Sequence, residues 1–160
     1  MKRRKRLLLI PALLLAAPPP ANAAEASGSG ALALAALVGN VSPLLGAPDK
    51  TALMAFLDSK TDVPAGGKIT VTADKVACRA SNVDITAHDC DLIFGGKTVT
   101  LEGRAAHELY ATLLEVGVEA DPGAGNIWVS MSKLNCAIDV AEVKDKAGGG
   151  ASCTYAASDG

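Results

Sequence analysis

Two periods of hydrophobic spacing divide the chain. Residues 31–38 (ALALAALV) form an Ala/Leu run of high helix propensity, and Gly39 follows as a helix stop. Ser42-Pro43 and Gly46-Ala47-Pro48 punctuate the next stretch. Asp49 then caps a helix predicted to reach Ser59, with Leu53, Phe56 and Leu57 on one face at i, i+3, i+4 spacing. After a turn-rich connector at 61–67 (TDVPAGG) the period falls from about 3.6 to about 2. Ile69 and Val71 alternate with Thr70 and Thr72, the pattern of a half-buried strand. Asp74-Lys75 interrupts the alternation as a bulge or tight turn, and Val76 and Cys78 resume it. Cys90, Leu92 and Phe94 share one face of the next strand. Gly95-Gly96 is a two-residue hairpin turn that needs positive φ, and Val99 and Leu101 face inward on the return.

The helical period reappears at 104–116 (RAAHELYATLLEV), where Ala106, Leu109, Tyr110 and Leu113 make a stripe. Gly117 stands at the position of a C-terminal cap, with Val118 to supply its hydrophobic contact. Asp121-Pro122-Gly123 is a turn. From 126 to 139 the inward residues are Ile127, Val129 and Met131, then Leu134, Cys136 and Ile138. One shift of parity near Lys133 predicts a bulge in a long strand, with a helical start as the rival. Asp139 and Glu142 resemble a capping box for a short helical turn to about Lys146. Gly148-Gly149-Gly150 releases the chain into a last strand at 151–156. Helices, strands, one helix and strands again predict an α+β domain: a small antiparallel sheet of disulfide-tied hairpins with helices packed on one face. The two cysteine-bracketed hairpins are candidates for a diverged repeat, with few residues in common.

The first 23 residues stand apart from that pattern. Lys2 to Arg6 is a run of five cations, and 7–17 (LLLIPALLLAA) is too short to span a bilayer, which needs about 20 apolar residues. Pro18, Pro19 and Pro20 then precede Ala21-Asn22-Ala23, the small-x-small pattern of a cleavage site, so 1–23 reads as a removable export signal. A retained N-terminal anchor is the alternative. Residues 24–30 (AEASGSG) read as a flexible leader, and 31–160 as one domain, helical over 31–59 and with strands and one helix over 68–156. Cleavage changes the charge. The whole chain has 15 Lys+Arg against 17 Asp+Glu, net −2; without the five basic residues the count is 10 against 17, net −7. Such a domain is poorly suited to nucleic acid or to anionic lipid, and no later segment is long enough to cross a membrane.

Cys78, Cys90, Cys136 and Cys153 all follow the signal. In an oxidising compartment their even number predicts two disulfides. Of the three pairings, Cys78–Cys90 with Cys136–Cys153 is expected because each pair brackets one hairpin. Each link would contribute about 3 kcal/mol in the chain-entropy model. Gaps of eleven, forty-five and sixteen residues do not match a four-cysteine zinc site. Only five aromatic residues serve the whole chain, so Leu, Val, Ile and Ala must fill the core and the disulfides support it.

Candidate chemistry is sparse. His88-Asp89-Cys90-Asp91 is the densest polar cluster, with Asp84 nearby; an imidazole beside carboxylates suits metal or acid–base work, while turn formation beside a tethered strand is the plainer role. His107-Glu108 opens like a helical zinc-protease motif, but Ala111 stands where the second His is required. Gly-rich turns at 123–125 and 148–150 lack the Lys-Ser/Thr of a phosphate loop, and no Ser has a nucleophile elbow. Neither a cofactor nor a metal is expected.

Three residues are candidate binding positions: Arg79 and Ser81, beside Cys78 in what reads as a disulfide-closed loop, and Trp128, in a predicted strand with Tyr155 in another. The expectation is an exported, secreted or periplasmic, non-enzymatic binding protein whose partner is another protein or an envelope macromolecule. The alternatives are a protease or hydrolase inhibitor acting through the Cys78–Cys90 loop, and a small hydrolase using His88 or His107 with Asp89, Asp91 or Glu108.

Overall fold

The computed structural model describes residues 23–58, 67–84, 88–145 and 149–157. Residues 1–22 of the predicted export signal, most of the 61–67 connector, and Lys146 and Gly148 of the last connection lie outside the described residues. The elements are β1 (Ala23–Ser27), α1 (Gly28–Val41), α2 (Ala47–Leu57), β2 (Lys68–Ser81), β3 (His88–Phe94), β4 (Lys97–Glu102), α3 (Gly103–Glu115), β5 (Ala120–Pro122), β6 (Asn126–Asp139), α4 (Val140–Asp145) and β7 (Ala151–Ala157). One antiparallel sheet runs in the order β1-β7-β6-β2-β3-β4, with β5 added beside β6.

That order is a palindrome of two β-α-β-β units. β1, α1, β2 and β3 make the first unit, and β4, α3, β6 and β7 make the second. β2 and β6 are both 14 residues long, and β3 and β7 are both seven. Ile69-x-Val71-x₃-Lys75-Val76-x-Cys78 in β2 matches Ile127-x-Val129-x₃-Lys133-Leu134-x-Cys136 in β6. α1 and α3 each start on a glycine of positive φ, Gly28 at 74° and Gly103 at 61°. Ala31, Leu34 and Val38 of one helix and Ala106, Leu109 and Leu113 of the other are fully buried at the same spacing. The first strand of each unit pairs with the last strand of the other, β1 with β7 and β4 with β3. Neither unit completes its sheet alone, which makes the pair one domain.

β2 and β6 pair along their whole length, and both change parity at the same crossing. Ala73 and Val76 are the buried residues flanking the shift in β2; Met131 and Leu134 flank it in β6. The one extra residue on each strand faces solvent, and Lys133 takes a φ of 54°. Because both strands shift together, their own register continues unbroken, while β7 meets the shift as a bulge between Ser132 and Asn135.

The disulfides are Cys78–Cys90 and Cys136–Cys153, each joining directly opposed residues of neighbouring strands on the core face. Cys90 Sγ lies 3.4 Å from the Ala106 carbonyl oxygen, and Cys153 Sγ lies 3.5 Å from that of Ala31. A disulfide sulfur has no proton to give, so these are packing contacts. Each disulfide therefore sits beneath the first turn of one helix.

Several local readings are corrected. The leader at 24–30 is β1 and the start of α1: Ala26 is small enough to be buried opposite Cys153 at the sheet edge. Gly39 lies inside α1, where a Cβ would come 2.8 Å from Leu53 Cδ1, 3.1 Å from Leu45 Cδ2 and 3.3 Å from Val71 Cγ2. Its role is close approach of α1 to α2 and β2, not termination. α2 begins at Ala47 with Gly46 as its cap, and Asp49 falls in its first turn. Elsewhere the signals hold. Gly95 and Gly96 both have positive φ, and Val118 and Gly117 donate to Leu113 and Leu114 carbonyls in a Schellman motif closing α3. Asp139 Oδ1 accepts from the backbone of Ala141 and Glu142. Tyr155 is buried, its hydroxyl donating to the Val116 carbonyl at 2.8 Å, and burial raises its pKa above the ordinary 10.0.

Gly39→Val should lower unfolding free energy by about 1–3 kcal/mol through overpacking, measured by urea denaturation. Tyr155→Phe should cost about 1 kcal/mol at neutral pH. That cost should shrink as pH rises past 10.0, because the unfolded wild type then loses a proton that the native phenol retains.

Candidate functional site

Alternation puts Asp89 and Asp91 on the face of β3 away from the helices, and Arg79 on the same face of β2. Register then assembles one row of side chains from five strands: Asp121 of β5, Trp128 of β6, Arg79 of β2, Asp89 of β3 and Glu102 of β4. Arg79 Nε donates to Asp89 Oδ1 at 2.9 Å, and its Cζ stands 5.8 Å from the Trp128 ring centroid, within cation–π range. Trp128 is 41% exposed, so its indole is a surface feature and not a core anchor.

Asp89 and Glu102 are directly opposed, an arrangement of like charges that is unfavourable in an antiparallel pair. Arg79 neutralises one of them. Asp91 accepts from Thr100 Oγ1. A cleft of about 490 Å³ opens along this row, lined in part by Arg79, Ser81, His88, Asp89, Glu102 and Asn126.

Arg79 and Ser81 belong to β2, not to a free loop, because the strand continues three residues beyond Cys78. The Ser81 hydroxyl lies at the lip of the cleft and is held in a local turn, accepting from the backbone of Val83 and Asp84. His88 is buried between β3 and α3. Its ring makes edge contacts with His107 at 4.8 Å and with Tyr110 at 4.7 Å, and its Nδ1 has no hydrogen-bond partner. The carboxylates that a hydrolase would recruit are engaged elsewhere: Asp89 with Arg79, Asp91 with Thr100, and Glu108 with Arg104 at 2.9 Å. Among the described residues no three His, Cys, Asp or Glu side chains gather as a metal-holding set.

Glu102 and Asp121 are the row members that sequence reading missed. A signal for Glu102 was present, since a two-residue turn at Gly95-Gly96 fixes the hairpin register and sets Glu102 opposite Asp89. Asp121 had none, because its strand is only three residues long.

The fold and site thus define a class: a duplicated α+β domain with two disulfides and one armed face of its sheet. No family model, curated protein or solved structure matches the chain. The disulfides are compatible with a place outside the cytoplasm, and no described helix is long and apolar enough to cross a membrane.

The Arg79–Asp89 pair is partly exposed, so Arg79→Ala should cost no more than about 1 kcal/mol. The loss should be larger at low salt and vanish near 1 M NaCl, where charge repulsion between Asp89 and Glu102 is screened. Paired urea melts at the two salt concentrations measure it.

Proposed function

We propose that the protein is exported and acts as a disulfide-stabilised, non-enzymatic binding protein of the cell envelope or secreted fraction, its partner being another protein. The observation that carries this reading is the exposed Trp128 in the Asp121–Trp128–Arg79–Asp89–Glu102 row. A large amphipathic ring, with a guanidinium over it and carboxylates to one side, has the composition of an interface hot spot. The strands beneath it are clamped by Cys78–Cys90, so the row is already ordered before binding and little entropy is lost on contact. Export rests on the signal-like segment at 1–23 and agrees with the disulfides. The engagement of Asp89, Asp91 and Glu108 away from both imidazoles supports binding over catalysis.

A protease or other hydrolase as that partner is the second reading, favoured by Arg79 being fixed one residue from a disulfide. The contact would then be made by the sheet face and not by an inserted loop.

Pull-down from envelope and secreted fractions with the oxidised exported protein tests the proposal. Wild type should recover a partner near stoichiometrically, and Trp128→Ala should lose most of it without a change in melting temperature. Equal recovery by both proteins, or no enriched protein at micromolar bait, would sink it. Loss of hydrolase activity in the captured fraction would select the second reading.

A further inference from the structure

The duplication supplies an internal comparison for every residue of the site. β2 of the first unit corresponds to β6 of the second, β3 to β7, and β4 to β1. The row Trp128–Arg79–Asp89–Glu102 therefore has a twin at the other end of the sheet: Thr70–Ala137–Ser152–Ser27, joined by the same kind of register. The cleft has a twin as well, of about 370 Å³, lined in part by Lys68, Ala137, Asp139, Ala151 and Ser152. Arg79, Ser81, His88, Asp89 and Asn126 of the first cleft map onto Ala137, Asp139, Ala151, Ser152 and Lys68 of the second. His107 and Tyr110 of α3, which touch His88, map onto Leu32 and Ala35 of α1. One backbone thus carries an apolar or small residue where its copy carries an indole, a guanidinium, two opposed carboxylates and a buried imidazole. The scaffold does not need that chemistry to fold.

We infer that the armed row receives a basic side chain, lysine or arginine, presented by the protein partner; this rests on the binding reading above and names the chemistry of the contact. Four carboxylates, Asp121, Asp89, Asp91 and Glu102, share this face with the Arg79 guanidinium and the exposed Lys75 ammonium. Glu102 is exposed and pairs with no cation among the described residues. A cation placed between Glu102 and Asp89 relieves the cross-strand repulsion that the serine pair of the twin avoids. Arg79 shows the fit, since its guanidinium already lies between a carboxylate of this row and the open indole. A bare metal ion is the poorer occupant, because no described set of three ligating side chains converges there and Asp89 is held by Arg79. The acidic balance of the chain beyond its first residues draws basic partners toward this face.

Trp128 is the only tryptophan, so its fluorescence reports the row directly. Titration of the oxidised exported protein with blocked hexa-arginine should give a saturable change in emission. Asp89→Ser/Glu102→Ser installs the residues of the twin row, which this backbone already accepts at Ser152 and Ser27, and should weaken binding at least about ten-fold. Glu115→Gln/Glu119→Gln removes the same charge elsewhere and should leave binding within about two-fold. No saturable change at millimolar peptide, or equal weakening by both double variants, overturns the inference. So does an equal response to calcium chloride or spermidine, which would mark a small-cation site. In the pull-down, a partner recovered equally by wild type and by the Asp89→Ser/Glu102→Ser variant overturns the basic contact and leaves the binding reading intact. Failure of wild type to recover any partner rejects the binding reading while the peptide titration still decides the chemistry of the row.

Discussion

The β2–β6 ladder is the constraint on which the other elements depend. Each of these strands is the long member of one unit, and they pair from end to end with a shared parity shift at Asp74-Lys75 and Ser132-Lys133. Had only one strand shifted, every inward residue beyond the crossing would have turned to solvent on one side of the pair. Because both shift, Ile69, Val71, Val76 and Cys78 stay on the core face with Val129, Leu134, Cys136 and Ile138. That common face receives α1 and α3, and the strands next to it, β3 and β7, are each locked by a disulfide that lies under one helix. The exchange of β1 and β4 between units then closes the arrangement.

A duplicated scaffold also separates what the fold requires from what has been added to it. The helix starts at Gly28 and Gly103, the packing of Ala31 and Ala106 over the disulfides, and the buried Leu34 and Leu109 occur in both units. These are structural. The polar residues of the armed row and the His88–His107–Tyr110 cluster are drawn from both units but occur at one end of the sheet only. Directly opposed carboxylates and a buried imidazole with an unsatisfied nitrogen both cost stability, and the small or apolar residues at the twin end of the sheet show that the same backbone stands without them.

Much of the fold was legible in residue spacing. Inward parity placed Cys78, Cys90 and Cys136 on the core side, the bracketing of one hairpin by each pair predicted the observed disulfides, and glycines at 95, 96 and 117 marked the turn and the cap. The leader was misread because Ala24 and Ala26 carry little hydrophobic signal, although small side chains suit an edge strand lying over Cys153. Gly39 was misread because a glycine needed for close packing looks, in sequence, like a stop. The repeat was nearly hidden, since Ile, Val, Lys and Cys are the main survivors along β2 and β6. The candidate site was legible only in part. Arg79, Ser81 and Trp128 stood out by chemistry, but a row drawn from five strands depends on a register that local patterns do not give.

The central claim is that one end of this duplicated sheet is a protein-binding surface and its twin is blank. Photo-cross-linking tests it most directly, with p-benzoylphenylalanine placed at position 128 and, separately, at its counterpart, position 70, in the full chain expressed in its source cells. The account predicts a discrete protein adduct from position 128 and none from position 70. Adducts of equal yield from both positions, or from position 70 alone, would contradict it.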